Sequence, residues 1–172
     1  MIISLVGYMG SGKSHISKLL STELHHKLLD LDKEISLKFK KSIPEIFQEH
    51  GEIYFRKKER EILENLLQEK ENSVLCVGGG TPTFYKNMES INEKSTSFFL
   101  RTSVGTLVER LMKNKERRPL LARIPDDELA EFIAKHLFER NQFYQKANHI
   151  VETDHKSPEE IVNEIILKVH GY

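Results

Sequence analysis

The hydrophobic and polar positions divide the chain into short apolar runs and longer amphipathic segments. The first run, residues 2–6, is rich in β-branched side chains and leads into several glycines. A helical pattern follows over residues 13–25, with apolar side chains at Ile16, Leu20 and Leu24. This order predicts a strand, a glycine-rich turn and a helix.

The same alternation continues along the rest of the chain. Apolar runs predict further strands at residues 27–32, 73–77, 97–101 and 149–152. Helices are predicted at residues 33–40, 44–50, 53–70, 84–91, 104–113, 128–147 and 157–170. Strands that alternate with helices favour an α/β fold with a parallel sheet and helices on both faces. The stretch 114–127 is basic, then proline-containing and acidic, so we expect a mobile loop there.

Length and composition exclude several classes of protein. A chain of 172 residues suits a single domain, residues 1–172. Because 26 basic residues balance 26 acidic ones, nothing indicates a nucleic-acid partner. No apolar stretch is long enough for a membrane span and no signal peptide is recognisable, so we expect no membrane partner and a cytoplasmic location. Cys76 is expected to be buried filler, and a monomer is the default.

Residues 7–14 carry the clearest chemical signal. They read Gly-Tyr-Met-Gly-Ser-Gly-Lys-Ser, which matches the phosphate-binding loop G-x-x-x-x-G-K-[ST]. Glycines let backbone N–H groups surround phosphates, and the following helix adds its positive end. Lys13 would carry charge to the β- and γ-phosphates, and the Ser14 hydroxyl would bind Mg²⁺. A chance match in a chain of this length has a probability on the order of one in a hundred. The segment therefore predicts nucleotide binding.

Acids and glycines also follow the second and third predicted strands, at the edge where such sheets bind ligands. Asp30 and Asp32 would point the same way from an extended strand end. Residues 78–80 are glycines. Taken alone, Asp-x-Asp also fits a turn with a helix cap, and three glycines also fit a plain loop. These positions become informative only in combination.

The combination resembles shikimate kinases over nearly the whole chain. After the P-loop come, in the order and approximate spacing of that family, Asp30-Leu31-Asp32, Phe55-Arg56, Gly78-Gly79-Gly80, Arg118-Pro119-Leu120 and Arg140 with Tyr144. The resemblance implies a nucleoside-monophosphate-kinase-like fold with three layers and a five-stranded parallel sheet. It also implies substrate-binding helices at about residues 33–60 and a mobile lid at about residues 112–126. The implied reaction moves the γ-phosphate of ATP to the 3-hydroxyl of shikimate, with Mg²⁺, in aromatic amino-acid (chorismate) biosynthesis.

The resemblance also gives roles to individual positions. Residues that match shikimate contacts are Asp32, Arg56, Gly79, Gly80 and Arg140, and Gly78 joins them because a glycine there lets the backbone approach the substrate. Residues expected at ATP are Gly10, Ser11, Gly12, Lys13, Ser14, His15, Arg110, Arg118 and Pro158. The expected catalytic residues are Lys13, Asp32 and Arg118, and those expected at the metal are Ser14 and Asp30.

Physical chemistry supports these roles independently. The planar fork of arginine binds a carboxylate through two parallel hydrogen bonds, which suits Arg56 and Arg140. Asp32 can accept hydrogen bonds from substrate hydroxyls, orient the attacking oxygen and take its proton. Asp30 is the better candidate for reaching Mg²⁺, through water. Glu59 follows Arg56 by three residues on the same helix face and could hold its guanidinium.

Some positions depart from the family pattern or stay open. His15 stands where a small hydroxyl is usual, so a backbone N–H would have to serve the α-phosphate. Leu31 replaces the usual Thr or Ser and is expected to pack inward. The segment before Pro158 lacks the arginine expected near adenine, and Lys156 is a candidate to replace it. Arg118 alone fits a solvated charge, with Arg117 as an alternative. Tyr144 is interpreted as core packing, and the histidines, including His136, as surface or helix-end residues.

Other functions compete with this one. The nearest alternatives are a gluconate kinase or a nucleoside monophosphate kinase of the same fold, but Asp32 with Arg56 and Arg140 favours a polyol acid as acceptor. A P-loop switch or non-catalytic ATP-binding regulator belongs to another class. A GTPase would carry Asn-Lys-x-Asp, which the sequence lacks, and an inactive binder should have lost Asp32 or Lys13.

Overall fold

The computed structural model describes residues 1–171, which form a five-stranded sheet in which every strand pairing is parallel. The strands are β1 (Ile2–Val6), β2 (Lys27–Asp30), β3 (Ser73–Cys76), β4 (Thr96–Arg101) and β5 (His149–Glu152). Their order in the sheet is β2-β3-β1-β4-β5, so the P-loop follows the central strand. The predicted α/β fold with a five-stranded parallel sheet is confirmed.

Helices cover both faces of this sheet. They are α1 (Lys13–Glu23), α2 (Leu31–Phe39), α3 (Ile43–Leu66), α4 (Asn87–Lys94), α5 (Val104–Lys113), α6 (Pro119–Ala122), α7 (Leu129–Tyr144) and α8 (Pro158–Val169). Side chains that alternate along each strand enter two separate apolar layers. In β1, Ile3 and Leu5 pack against α1 and α8, whereas Ile2 and Val6 belong to the larger layer with α2, α3, α5 and α7.

Helix starts show why several predicted boundaries were accurate. The predicted cap at Ser157 is confirmed, because its side chain accepts from Glu160 N while the Glu160 carboxylate accepts from Ser157 N. An equivalent capping box joins Ser42 and Glu45 at α3. Helix α1 differs, since it begins after Gly12 with no side-chain cap. Its first backbone N–H groups therefore remain available to a ligand.

The second strand was predicted too long. β2 ends at Asp30, whose Oδ1 accepts a hydrogen bond from Lys33 N at 3.2 Å and caps α2. Asp32 therefore lies in the first turn of α2. The prediction that Asp30 and Asp32 point the same way from an extended strand is wrong. Leu31 is fully buried, as predicted.

Other predicted boundaries also needed correction. The two helices predicted at residues 44–50 and 53–70 are confirmed as the two parts of α3, which is interrupted at Gly51 by a non-helical φ of 79° and ψ of 174°. Only the end of the second helix needs correction, since it lies at Leu66 and not at residue 70. The helix predicted at residues 84–91 is present as α4, shifted to Asn87–Lys94, and a 3₁₀ turn at Thr81–Thr83 precedes it. The stretch 114–127 is not an irregular loop, since it contains α6 and two 3₁₀ turns, and Leu121 anchors it with no exposed surface. Within residues 1–171, no helix combines the length and apolarity needed to cross a membrane.

Candidate active site

A cleft of about 880 Å³ opens where the P-loop, β2 and β3 end. Its lining brings together most residues that the sequence singled out, which are Gly10, Ser11, Gly12, Lys13, Ser14, His15, Asp30, Asp32, Gly78, Gly79, Arg110, Arg118 and Pro158. The other three predicted residues, Arg56, Gly80 and Arg140, lie beside this cleft and contact its glycine wall.

The P-loop is shaped by glycine geometry. Gly10 has a φ of 81°, and a Cβ built there would lie 3.0 Å from the Leu111 side chain. Gly12 has a φ of 94° and turns the chain into α1. Both positions favour glycine, because other residues are strained at positive φ. The uncapped start of α1 therefore faces the cleft with free N–H donors and a partial positive charge, which is suited to phosphate.

Lys13 lies almost completely inside this loop, with 8% of its surface exposed. Its Nζ donates to the carbonyl oxygens of Gly7 at 2.7 Å and Tyr8 at 3.0 Å, which leaves one proton for a further acceptor. Burial lowers the pKa of Lys13 to about 8, and the charges of Arg118 and Arg140 act in the same direction. A bound anion would reverse this effect, so the site favours negatively charged ligands.

The far side of the cleft is built by α5 and α8. Arg110 Nη1 donates to the Gly10 carbonyl at 3.0 Å and so joins α5 to the P-loop. Pro158 is the first residue of α8, and Lys156 lines the cleft just before it while pairing with Glu164 at 2.6 Å. Lys156 thus occupies the region where the family pattern suggested an arginine. His15, in α1, is exposed and also lines the cleft.

Three glycines after β3 each face a different polar side chain. A Cβ built on Gly78 would lie 3.2 Å from Asp32 Oδ1. One on Gly79 would lie 3.4 Å from Arg140 Nη1, and one on Gly80 would lie 2.6 Å from Arg56 Nη2. The absence of these Cβ atoms allows an aspartate and two arginines to converge on one short backbone segment.

A buried network holds Arg56 in place. Its Nη1 donates to both carboxylate oxygens of Glu59, at 3.1 and 2.9 Å, as the spacing of these residues suggested. Glu59 is 1% exposed and also accepts from Thr81 Oγ1 at 2.7 Å. The guanidinium carbon lies 4.1 Å from the centre of the Phe84 ring. A charge-assisted pair with an aromatic neighbour fixes the fork in one orientation.

Tyr144 does more than the core packing that the sequence indicated. It is fully buried and packs on Phe99, with 5.2 Å between ring centres. Its hydroxyl also donates to the Gly79 carbonyl at 2.6 Å. The helix that carries Arg140 is therefore tied directly to the glycine segment.

The Asp32 side chain is exposed to the cleft. Desolvation of its carboxyl group by nearby protein atoms raises the pKa of Asp32 to about 6, and the carboxylates of Asp30 and Glu59 act in the same direction. The positive charges of Lys13 and Arg56 oppose the rise. An acid with a pKa near neutrality can exchange a proton with a hydroxyl substrate.

Arg118 lies between the turn Lys115–Arg117 and α6, and it lines the cleft. Its Nε is buried and has no hydrogen-bond partner among residues 1–171. Arg117 is exposed and does not line the cleft, so of the two adjacent arginines Arg118 is the one placed to act.

Comparison with known proteins identifies the family. The family model described as shikimate kinase matches residues 9–170. The chain belongs to the shikimate kinase family. It is therefore an ATP-dependent kinase, in agreement with the predicted enzyme class.

Individual members of the shikimate kinase family agree closely with this chain. The shikimate kinase of Flavobacterium psychrophilum is 47% identical over 164 residues, which cover 95% of each chain. The crystal structure of shikimate kinase from Bacteroides thetaiotaomicron has a TM-score of 0.88 at 34% identity and covers 99% of this chain and 98% of its own. Shikimate kinase from Acinetobacter baumannii, solved in complex with shikimate, also has a TM-score of 0.88, at 29% identity, and covers 98% of this chain and 92% of its own.

Sequence reasoning missed one cluster beside this site. His136 was predicted to be a surface or helix-end residue, but it lies in the middle of α7 and is half-buried. Its ring nitrogen Nδ1 is 2.8 Å from the hydroxyl of Tyr8, inside the P-loop. The spacing of Phe132, His136 and Arg140 places them on one helix face and was the signal that could have found the cluster.

Proposed function

We propose that this chain transfers the γ-phosphate of ATP to the 3-hydroxyl of shikimate, in the biosynthesis of chorismate and the aromatic amino acids. The observation that carries the proposal is the convergence of Asp32, Arg140 and Arg56 on Gly78, Gly79 and Gly80, beside the P-loop. Two arginines and an aspartate suit a substrate with one carboxylate and several hydroxyls.

The acid end of the substrate is assigned to Arg56 and Arg140. Arg56 keeps Nη2 free of Glu59, and Arg140 presents Nη1 at Gly79. Guanidinium groups held in this way bind a carboxylate with little loss of side-chain freedom. The backbone of Gly78, Gly79 and Gly80 would lie against the substrate ring.

The reacting end is assigned to Asp32, Lys13 and Arg118. Asp32 would orient the attacking hydroxyl and accept its proton. Lys13 and Arg118 would stabilise the charge that develops on the transferred phosphoryl group. Positioning and charge neutralisation are the main demands of phosphoryl transfer.

The oxygen donors in the cleft suit Mg²⁺. Ser14 is exposed in the cleft, and Asp30 uses Oδ1 as the helix cap while Oδ2 has only a long ion pair, at 4.0 Å from Lys33 Nζ. Within the described 1–171 there is no cluster of three or more His, Cys, Asp or Glu side chains that could enclose a metal. Mg²⁺ is commonly held by one or two protein oxygens together with water and phosphate. Ser14 and Asp30 would hold the ion, which would neutralise phosphate charge.

The remaining assignments concern the shape and setting of the enzyme. We assign the lid to residues of about 112–126, carrying Arg118, and the substrate-binding helices to about 33–60, within one kinase domain of residues 1–172. Nucleotide contacts away from the phosphates are assigned to Arg110, Pro158 and His15. A monomer in the cytoplasm, where ATP is abundant, is the proposed form.

An acceptor comparison tests the proposal. ADP release is measured in a coupled assay with Mg·ATP and, in parallel, shikimate, gluconate and nucleoside monophosphates. We expect release with shikimate, and 3-phosphorylation in the product. Release with gluconate or a nucleotide but not with shikimate would overturn the assignment.

Gly80→Ala tests the glycine wall. The backbone of Gly80, at φ −83° and ψ −21°, accepts alanine without strain, so the change acts only through the new Cβ, 2.6 Å from Arg56 Nη2. Since Glu59 and Phe84 hold Arg56, its displacement should raise the KM for shikimate by about tenfold. Gly105→Ala is the matched control, because no atom lies within 4 Å of its added Cβ. Equal KM values for both variants would contradict the contact between Arg56 and substrate.

A further inference from the structure

Tyr8 occupies a variable position of the P-loop pattern, yet it is only 1% exposed and its side chain makes a specific contact. Its hydroxyl lies 2.8 Å from Nδ1 of His136, across 128 positions of sequence. The two rings meet edge to face, with centres 5.4 Å apart. The Tyr8 side chain thus joins the phosphate-binding loop to α7 through a hydrogen bond.

The same face of α7 carries the arginine assigned to the substrate carboxylate. Arg140 lies one turn after His136, and its guanidinium carbon is 5.8 Å from the centre of the Tyr8 ring. Phe132 supports His136 from the preceding turn, at 5.3 Å between ring centres. The Tyr8 ring therefore contacts both His136 and Arg140.

The backbone of Tyr8 belongs to the nucleotide half of the site. Its carbonyl accepts from Lys13 Nζ at 3.0 Å and from Ser11 N at 3.2 Å. One residue thus contacts the phosphate-binding lysine through its main chain and the carboxylate-binding arginine through its ring. A shift of the Tyr8 ring would change the second contact without removing the first.

Both partners of this hydrogen bond are neutral at neutral pH. Burial raises the pKa of Tyr8 to about 12, so the phenol keeps its proton at neutral pH. Burial lowers the pKa of His136 to about 4, and the charge of Arg140 acts in the same direction. With the ring proton on Nε2, Tyr8 donates and the neutral His136 accepts at Nδ1. A neutral imidazole does not repel Arg140.

We propose that Tyr8 and His136 are positioning residues that hold the Arg140 guanidinium against Gly79 and so set the affinity for the acid substrate. This inference rests on the proposed function, because it assigns Arg140 to the substrate carboxylate. Tyr8 presents its π face to Arg140, and His136 fixes the rotation of Tyr8 through the hydroxyl. Packing alone would give these residues a role in stability but none in acid binding.

Paired substitutions separate the ring from the hydroxyl. Tyr8→Leu removes both contacts and should raise the KM for shikimate by about three- to tenfold, the size of a partly buried cation–π contact. Tyr8→Phe keeps the ring over Arg140 and should show a smaller rise. The KM for shikimate should rise more than the KM for ATP, since the Tyr8 carbonyl still accepts from Lys13.

The histidine side of the pair has its own variants. His136→Leu should raise the KM for shikimate, and His136→Gln, which retains an acceptor, should restore part of the lost affinity. His149→Leu is the matched control, because His149 also stacks on an aromatic ring, Phe98 at 4.9 Å, but Phe98 belongs to the other apolar layer and not to the layer of Tyr8. It should leave both KM values unchanged, whatever its effect on Tm.

The outcomes are distinguishable from failure of the proposed function. If the wild type phosphorylates another hydroxy acid and ignores shikimate, the proposed function fails, and the same KM comparison is made with that acid. Isothermal titration calorimetry with the acid substrate measures the affinity directly. Tyr8→Leu and His136→Leu variants that lose Tm but bind the acid as the wild type does would overturn the positioning role. An equal rise in the KM for ATP and for the acid would also overturn it.

Discussion

Asp32→Asn is expected to lower kcat by about 10²- to 10⁴-fold, while the KM for ATP changes little. The amide keeps the shape of the side chain and can still contact a hydroxyl, but it cannot accept the proton. Lys13 and the uncapped start of α1, which are assigned to the phosphates, stay in place. Coupled assays with each substrate varied in turn measure the effect.

The pH dependence gives Asp32 a second signature. Because the pKa of Asp32 is raised to about 6, its basic form is lost as the pH falls through that value. In the wild type, kcat/KM at low concentrations of both substrates should therefore fall below about pH 6. The Asn variant should lack this step.

Stability separates catalytic loss from misfolding. A folded-state pKa above the ordinary value means that the fold favours protonated Asp32, so this contribution to stability is present at low pH and is lost as the pH rises through about 6. Asparagine resembles the protonated form, and the Tm of Asp32→Asn at pH 8 should equal or exceed that of the wild type. Glu34→Gln, on the same helix but outside the cleft, is the control. Normal turnover by Asp32→Asn would remove this residue from the mechanism.

Arg118→Ala is the second substitution for which we expect a large effect, a fall in kcat of about 10²- to 10³-fold. The KM for shikimate should stay within about threefold, because Arg56 and Arg140 are assigned to the carboxylate. Arg118 lines the cleft, and no acceptor within residues 1–171 competes with a phosphate for its Nε. Steady-state kinetics with both substrates varied separate these effects.

Arg117→Ala provides a matched control for that experiment. Arg117 precedes Arg118, has the same charge, and is exposed outside the cleft. It should leave kcat within about twofold of the wild type, as substitutions away from a site do. A loss in Arg118→Ala that falls on the KM for shikimate and spares kcat would place this arginine in the acid pocket.

The sequence was sufficient for the fold because its elements have strong local signals. The helix at Val104–Lys113 and the strand at His149–Glu152 match their predicted bounds, since a capping serine at 103 starts the helix and two β-branched residues lie at the centre of the strand. Predictions failed where a side chain competes with the backbone. Asp30 caps a helix and ends β2 early, a choice that periodicity cannot resolve.

The candidate site was predictable in its residue types but not in its contacts. The sequence pattern predicted Arg56 as a site residue, and helical spacing predicted Glu59 as its partner. The hydrogen bond between these two side chains confirms the pair. The pairing of Asp32, Arg140 and Arg56 with successive glycines depends on how α2, α7 and α3 pack around β3, which no local signal encodes. The contact between Tyr8 and His136 spans most of the chain and lay beyond reach for the same reason.

Glu59 limits how this cleft can change its substrate. Its carboxylate is buried, and its partners are Arg56 and Thr81. Removing Arg56 to admit a neutral sugar would leave that charge without its cation inside the protein, which is strongly destabilising. Descendants of this enzyme, natural or engineered, would have to lose the arginine and the glutamate together. A single substitution of Arg56 would therefore lower the free energy of unfolding at the same time as it changed the acceptor. This loss of stability opposes a change from an acid to a neutral substrate at this position.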